Sequence, residues 1–591
     1  MKQMLMTMYK RATYGNSSGR FSLESPDAFI YTMKDLETKE TELHVIPNPT
    51  ISYYTSKTPR SYHAFSMPVD ELNKIVCRYS DREKDMCERL GLSDQFFNAK
   101  KLHTYREFKD KLMAHPDLYF ADVDIEDYYK TMSLIKNNEQ FGKIGDFKLG
   151  FSDTEVDTSK CDGFPNPQIA PVPIILITTV FQTEKVSITY ILKDDRCFKD
   201  QLDVIQHPQE FIKEYLDPKM LERGFTYRFK MYESELDMIK DYFHDVHEYK
   251  PDFIGWWNMN FDIQTILNRL KNAFHLSKAE IANIICHPDV PEPFRYFEYA
   301  LDPLRLAFES DDAEDEAGGG DEKKKSKARP HPSRYVDWFT VPGYTQWYCQ
   351  MALFSNMRKR YQLPSYRLDD IGKDYGGMGK YDLHANGLTH QNWFQYFKIY
   401  LAYNIRDVHV QYEIEEKQHD LPTFIIFAGN TRLSMALHES INIKNTIMLY
   451  LLTRERPEIT GNNIKYDIHE KIPGAIVGRP ELMEMCGINI SGLPSYVFEG
   501  CVDLDASSLY PSNIIEANIS KTSLFGRAID VVRRNGEQFK YGVVDKDEDT
   551  YLFSKLQCID SSLFDFCKDY FDLPGPYEII AAMEKYMNTV A

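Results

Sequence analysis

The chain has no uninterrupted apolar run near the roughly 18 residues that a membrane span requires. Its start, MKQMLMTMYKRATYG, lacks the apolar stretch of a signal peptide. Ten cysteines are scattered without a C-x-x-C pair, so neither a zinc site nor a disulfide framework is indicated, and a reducing cytosol fits best. No internal repeat is present. Positive charge is short as well: the formal net charge of −19 argues against DNA coating the whole surface. A DNA enzyme stays open, because metal-dependent nucleases need clustered carboxylates and a basic channel can be local. Arg358, Lys359 and Arg360, followed by Arg367, form one such basic run.

What is present is ordinary for a globular protein: 43% hydrophobic and 27% charged residues, with a high aromatic share of 14%. Aromatic rings mostly fill cores and only secondarily stack on bases. At 591 residues the chain is too long for one core, and three or four domains are expected.

Up to about residue 110 the pattern is mixed, with short strand-like runs and a helical pattern near Asp70 to Leu90. LYFADVDIE, from Leu118, reads as a strand ending in acids. PVPIILITTVF and KVSITYIL read as buried β-branched strands. An amphipathic helix in SELDMIKDYFHDVHEY, a strand at DFIGW and a second helix from about Asp262 follow. Strands, helix, strand and helix in that order imply an α/β domain around a mixed sheet. Residues 309–333 combine an acidic block, three glycines and a lysine block, a composition that predicts a mobile surface loop without a core. HQNWFQYFKIYLAYNIRDVHVQYEIEEKQ predicts a long helix with Tyr403 and Asp407 one turn apart. Residues 420–475 read as mostly helical connecting structure. YVFEGCVDLDASSLYPSNIIEANIS then opens a strand, a tight turn and a helix.

Four carboxylates form a candidate metal site. Asp124 and Glu126, two apart on the expected strand, share a face; Asp262 begins one helix and Asp407 lies on another. Magnesium prefers hard oxygen ligands, and two ions about 4 Å apart can activate water and stabilise a leaving oxygen in phosphodiester cleavage. D-I-E, N-x-x-F-D after G-W, and Y-x-x-x-D occur in that order. The series resembles the exonuclease motifs of proofreading DNA polymerases, which have a ribonuclease-H-like fold. The resemblance implies that Asp124, Glu126, Asp262 and Asp407 bind the metals and that Tyr403 orients the attacking water. It implies further that Asn258 and Phe261 contact the 3′-terminal nucleotide. T-even-type relatives place one more residue between this asparagine and the F-D pair, which brings Trp257 into line with the asparagine if no gap is allowed.

D-A-S-S-L-Y-P-S, Asp505 to Ser512, resembles motif A of family B DNA polymerases. By resemblance Asp505 and the carbonyl of Ala506 bind the catalytic metals, and backbone groups near Ser508 and Leu509 hold the triphosphate. The Tyr510 ring lies beneath the sugar, where a 2′-hydroxyl would clash. Together with LPSYRLDDIG and PGAIV, these motifs resemble the T-even-phage replicative type over nearly the whole chain. The implied fold is α/β and α+β multidomain: an N-terminal domain (1–110), an exonuclease domain (111–420) carrying the 309–333 insertion, a linker or second part of the N-terminal domain (421–478), and a partial palm (479–591).

The family's K-x-x-x-N-S-x-Y-G and D-T-D-S patterns are not found in this sequence, and one carboxylate cannot position two magnesium ions for nucleotidyl transfer. The expectation is therefore the first subunit of a split polymerase. A second polypeptide would carry fingers, motif C and thumb, and through it a sliding clamp. The apolar side of the terminal helix, with Ile579, Ile580, Met583 and Met587, is a candidate contact. The implied cofactor is Mg2+, two ions per site, with Mn2+ as substitute. The implied ligands are primer-template, single-stranded DNA and dNTP, and the setting is the cytoplasm of a phage-infected cell. Two alternatives predict different outcomes: a stand-alone exonuclease with a relic palm, in which Asp505 is dispensable, and a non-catalytic DNA-binding scaffold without turnover.

Overall fold

A computed structural model describes residues 2–137, 147–300, 338–431 and 457–462, apart from breaks at 18–19, 61–65, 103, 162, 164, 359–362 and 384–386, together with Leu452 and three short strands between 524 and 554. The insertion at 309–333, motif A with Asp505, Ala506, Ser508, Leu509 and Tyr510, and the terminal helix lie outside the described residues. The chain divides into two compact units, one of Met1–Lys57, Pro68–Leu112 and Tyr119–Thr460, the other of Thr58–Met67, Met113–Leu118 and Gly461–Ala591.

The first unit opens with three antiparallel strands, β1 (Lys2–Lys10), β2 (Ala28–Asp35) and β3 (Thr41–Pro47), with β2 in the middle. Strands β4 (Thr50–Ser56) and β5 (Leu72–Arg78) pair next to each other. The helical pattern expected near residues 70–90 resolves into β5 followed by helix α1, Arg82–Arg89. Leu72, Ile75 and Cys77 are less exposed than their immediate neighbours, which is closer to a strand's alternation than to a helical stripe.

A second departure bears on function. LYFADVDIE does not continue as a strand. Only Leu118–Tyr119 is extended, and helix α2 spans Ile125–Asn137.

Among the described residues the largest sheet has eight strands. In chain order these are β6 (Leu149–Val156), β7 (Ile174–Phe181), β8 (Val186–Leu192), β9 (Thr226–Tyr232), β10 (Phe253–Trp256), β11 (Glu298–Ala300), β12 (Trp338–Thr340) and β13 (Gln346–Cys349). Their spatial order is β9-β8-β7-β6-β10-β13-β12-β11. Strands β6, β7 and β8 form an antiparallel meander, whereas β10 runs parallel to both β6 and β13.

Every residue of β7 is buried, as a strand covered on both faces must be. On one face, Phe151, Leu176 and Tyr348 pack with Tyr400, Leu401, Ile405 and Val408 of helix α5, Phe397–Gln418. On the other, Ile177, Tyr190, Ile254 and Trp256 pack with Met238, Tyr242, Ile263 and Ile266. Those last four belong to α3 (Glu235–Tyr249) and α4 (Met259–Asn268). The result is a mixed sheet between helical layers. Helix α3 starts where SELD predicts, with the Ser234 side chain accepting from Asp237 N; α4 begins three residues ahead of Asp262.

A buried ion pair ties the N-terminal sheet to the large one. Lys34 on β2 bonds Asp252, and each side chain is only 1% exposed. Asp252 also accepts from Thr41 Oγ1 at 3.1 Å and from Lys148 N at 2.8 Å. It therefore stands where β6 and β10 both begin.

In the second unit, Leu524–Ile529 lies between Gly542–Val543 and Tyr551–Ser554, antiparallel to both. Among the described residues no helix is long and apolar enough to cross a membrane.

Candidate active site

Asp124 and Glu126 do not join Asp262 and Asp407. Asp124 stands immediately before α2, and its Oδ1 accepts from Glu126 N at 2.9 Å, the geometry of a helix N-cap. Its other oxygen accepts from the Tyr79 hydroxyl at 3.2 Å, and Glu126 Oε2 accepts from Thr7 Oγ1 at 2.7 Å. Glu126 is thus engaged by strand β1 and Asp124 by the short turn that follows β5. Acids at a helix start are favoured by its unpaired N–H groups and dipole, so this D-x-E is a capping feature rather than a strand pair.

A second D-x-E takes the expected place. Asp153 and Glu155 lie on β6, two residues apart and on one face. One carboxylate oxygen from each of Asp153, Glu155 and Asp407 lies within 4.8 Å of the others. Asp407 comes from α5, whose core face is packed on that side of the sheet. Asp262, in the first turn of α4, reaches the same strand, and its Oδ1 accepts from Thr154 Oγ1 at 2.6 Å and Thr154 N at 3.3 Å. The structure therefore gathers Asp153, Glu155, Asp262 and Asp407.

Their protonation reports the crowding. Burial pushes Glu155 up to about 8, with Asp407 and Asp262 adding to the rise. Burial likewise lifts Asp262 to about 7 against the Thr154 hydrogen bonds. Asp153 is raised well above the ordinary carboxylate value by burial and then by Asp262 and Asp407. Asp407 is raised by burial, with Lys380 opposing.

Lys380 acts on all four acids, lowering each. Its Nζ donates to Asp407 Oδ2 at 2.5 Å and to the Tyr403 hydroxyl at 3.0 Å. Burial works against the lysine's charge, but Asp407, Tyr403 and Asp153 outweigh it and hold its pKa well above the usual lysine value. One cation cannot balance four carboxylates. Asp407 Oδ1 is buried without a hydrogen-bond partner among the described residues. Crowded, largely enclosed hard oxygens, one of them an orphaned carboxylate oxygen, fit a divalent metal site.

Tyr403 lies one turn before Asp407, its ring stacked on Tyr400 with centroids 5.8 Å apart. At the start of α4 the two candidates for one role are separated by burial. Trp257 is in the core, its Nε1 donating to Tyr366 O at 3.2 Å, whereas Asn258 is exposed. Phe261, one residue before Asp262, is partly buried against the α3 and α4 core. Lys380 had no signal in the sequence: it sits 27 residues from Asp407, on a loop after glycines, and only the fold delivers it.

Residues 129–289 match the exonuclease domain of DNA polymerase family B. The match contains Asp153, Glu155 and Asp262 and begins after Asp124 and Glu126. The chain is also similar to a protein named DNA-directed DNA polymerase from Escherichia phage RB69, 23% identical over 405 residues. That similarity covers 64% of this chain and 36% of the relative, so the chain spans little more than a third of the relative's length.

Proposed function

We propose that this chain is a 3′→5′ DNA exonuclease of the two-metal type, with Asp153, Glu155, Asp262 and Asp407 as the metal-binding acids. The single observation that carries the reading is the convergence of these four carboxylates, with Lys380 and Tyr403 beside them, three of the acids lying within the residues matched to an exonuclease domain. Divalent ions bound there, Mg2+ with Mn2+ as substitute, supply an activated water and charge neutralisation at the leaving oxygen.

The chain's own residues do the rest. Lys380 holds Asp407 and the Tyr403 hydroxyl in one hydrogen-bonded group. Tyr403 is thereby oriented to align the attacking water. Asn258, exposed at the start of α4, and Phe261 receive the terminal nucleotide. The crowded, destabilising carboxylates argue against a non-catalytic scaffold, because an inert fold gains nothing from burying them.

The test is release of mononucleotides from single-stranded DNA carrying a label at its 3′ end. Label should appear at once with magnesium and not in EDTA. An internal cut pattern, or identical rates with and without magnesium, would refute the reading.

The D-A-S-S-L-Y-P-S segment supports a second reading, nucleotidyl transfer at Asp505. Ala506 would add a carbonyl to the metal site, Ser508 and Leu509 would hold the triphosphate, and Tyr510 would exclude ribonucleotides. The second metal-binding carboxylate would come from outside these 591 residues, together with fingers and thumb. Supplying those parts should yield primer extension that Asp505→Ala abolishes. Extension unaffected by Asp505→Ala would favour the relic-palm alternative.

A further inference from the structure

Each acid of β6 has one oxygen held by α5. Asn404 Nδ2 donates to Asp153 Oδ2 at 2.9 Å, and the Tyr400 hydroxyl donates to Glu155 Oε2 at 2.6 Å. The pairing follows from matched repeats. Four helical residues rise about 6 Å and two strand residues about 6.6 Å, so a helix lying along a strand meets alternate strand residues once per turn. Residues 400 and 404 therefore face 155 and 153 in antiparallel order, and Tyr403 and Asp407 sit three residues beyond each on the same helix.

Both donors are themselves fixed. Asn404 Oδ1 accepts from Thr178 Oγ1 at 2.5 Å, and the Thr178 and Thr189 hydroxyls are 3.0 Å apart. Asn404, Thr178 and Thr189 are all buried. A flipped Asn404 amide would set its oxygen against the Asp153 carboxylate, so the surrounding bonds select one orientation. Tyr400 has a single hydroxyl proton, and Glu155 takes it. His390 Nδ1, 3.1 Å from the Tyr400 oxygen, is then the donor of that second bond.

We propose that Asn404 and Tyr400 are positioning residues that lock Asp153 and Glu155 so that their remaining oxygens face Asp407 and a shared divalent cation. This rests on the metal-site reading above. Neutral donors suit the task. They stabilise an ionised carboxylate and set its rotamer without adding a positive charge that repels the cation. Lys380, bonded to Asp407 and Tyr403, has the different role described earlier.

The experiment is a Mn2+ titration followed by electron paramagnetic resonance, on the full chain and on the Asp153→Asn, Tyr400→Phe and Asn404→Ala variants. Nuclease rates on single-stranded DNA are measured over the same Mn2+ range. Tyr400→Phe deletes one oxygen and keeps the ring on Tyr403, so it decides the matter even if Asn404→Ala fails to fold. We expect Mn2+ affinity to fall about tenfold in Tyr400→Phe and about 10- to 100-fold in Asn404→Ala. KM for DNA should stay within about twofold, and the lost rate should return at high Mn2+. Wild-type Mn2+ affinity in a folded Tyr400→Phe or Asn404→Ala variant would overturn the positioning role of that residue. If the wild-type chain binds Mn2+ no better than Asp153→Asn, the metal-site reading fails before the positioning question arises.

Discussion

Replacing Lys380 by Met removes a positive charge that acts on all four carboxylates. Met keeps the length of the stem and deletes two hydrogen bonds, at 2.5 Å to Asp407 and at 3.0 Å to Tyr403. A bond to a charged group contributes about 1.5–3 kcal/mol and one to a hydroxyl about 1 kcal/mol. Together they make roughly 2.5–4 kcal/mol, or a factor of about 10² to 10³ in rate if the two bonds matter only when the site is assembled for reaction. The assay is single-turnover digestion of 5′-labelled single-stranded DNA at saturating Mg2+. The rate should drop by that factor while KM for DNA changes little, because the two bonds of Lys380 go to Asp407 and Tyr403. A variant with intact melting behaviour and a rate within threefold of wild type would refute the role given to Lys380.

Three other consequences can be checked directly. Lys34→Met leaves Asp252 with only Thr41 and Lys148 N as donors and should cost about 3 kcal/mol, as breaking a buried pair does; an unchanged urea midpoint would contradict this. Burial lowers His409 to about 3, and neither ring nitrogen has a hydrogen-bond partner among the described residues. Because its folded pKa lies below its unfolded value, its contribution is full above about pH 6.5 and is lost as pH falls toward 3. His409→Phe should therefore flatten the fall in stability between pH 7 and 5 by about 2 kcal/mol; parallel pH profiles for the two proteins would count against it. Asn258→Ala should raise KM for single-stranded DNA without moving the Mg2+ dependence, and a shifted Mg2+ dependence would place the side chain elsewhere.

Much of the large sheet was legible. The runs PVPIILITTVF and KVSITYIL are β-branched and apolar enough to specify buried strands, and SELD marks the start of α3. Tyr403 and Asp407 were visible because a four-residue spacing on a long helix fixes a common face.

The first acid pair was not, for a local reason. D-x-E follows an apolar stretch at both Asp124 and Asp153. After Asp124 the chain continues as I-E-D-Y-Y-K-T-M, with acids in what becomes a first helical turn. After Asp153 it continues as T-E-V and then loop residues, 21 positions before β7. The residues following each pair, not the pair itself, separate a helix cap from a strand acid. Asn404 and Tyr400 share the periodicity of Asp407's helix, but only the register of α5 on β6 reveals what they touch.

The central claim is that the catalytic acids on β6 are Asp153 and Glu155. Magnesium-dependent digestion of single-stranded DNA should be compared for Asp153→Ala with Glu155→Ala and for Asp124→Ala with Glu126→Ala. The first double variant should lose at least about a thousandfold in rate, and the second should digest at close to the wild-type rate. The reverse pattern would contradict the account.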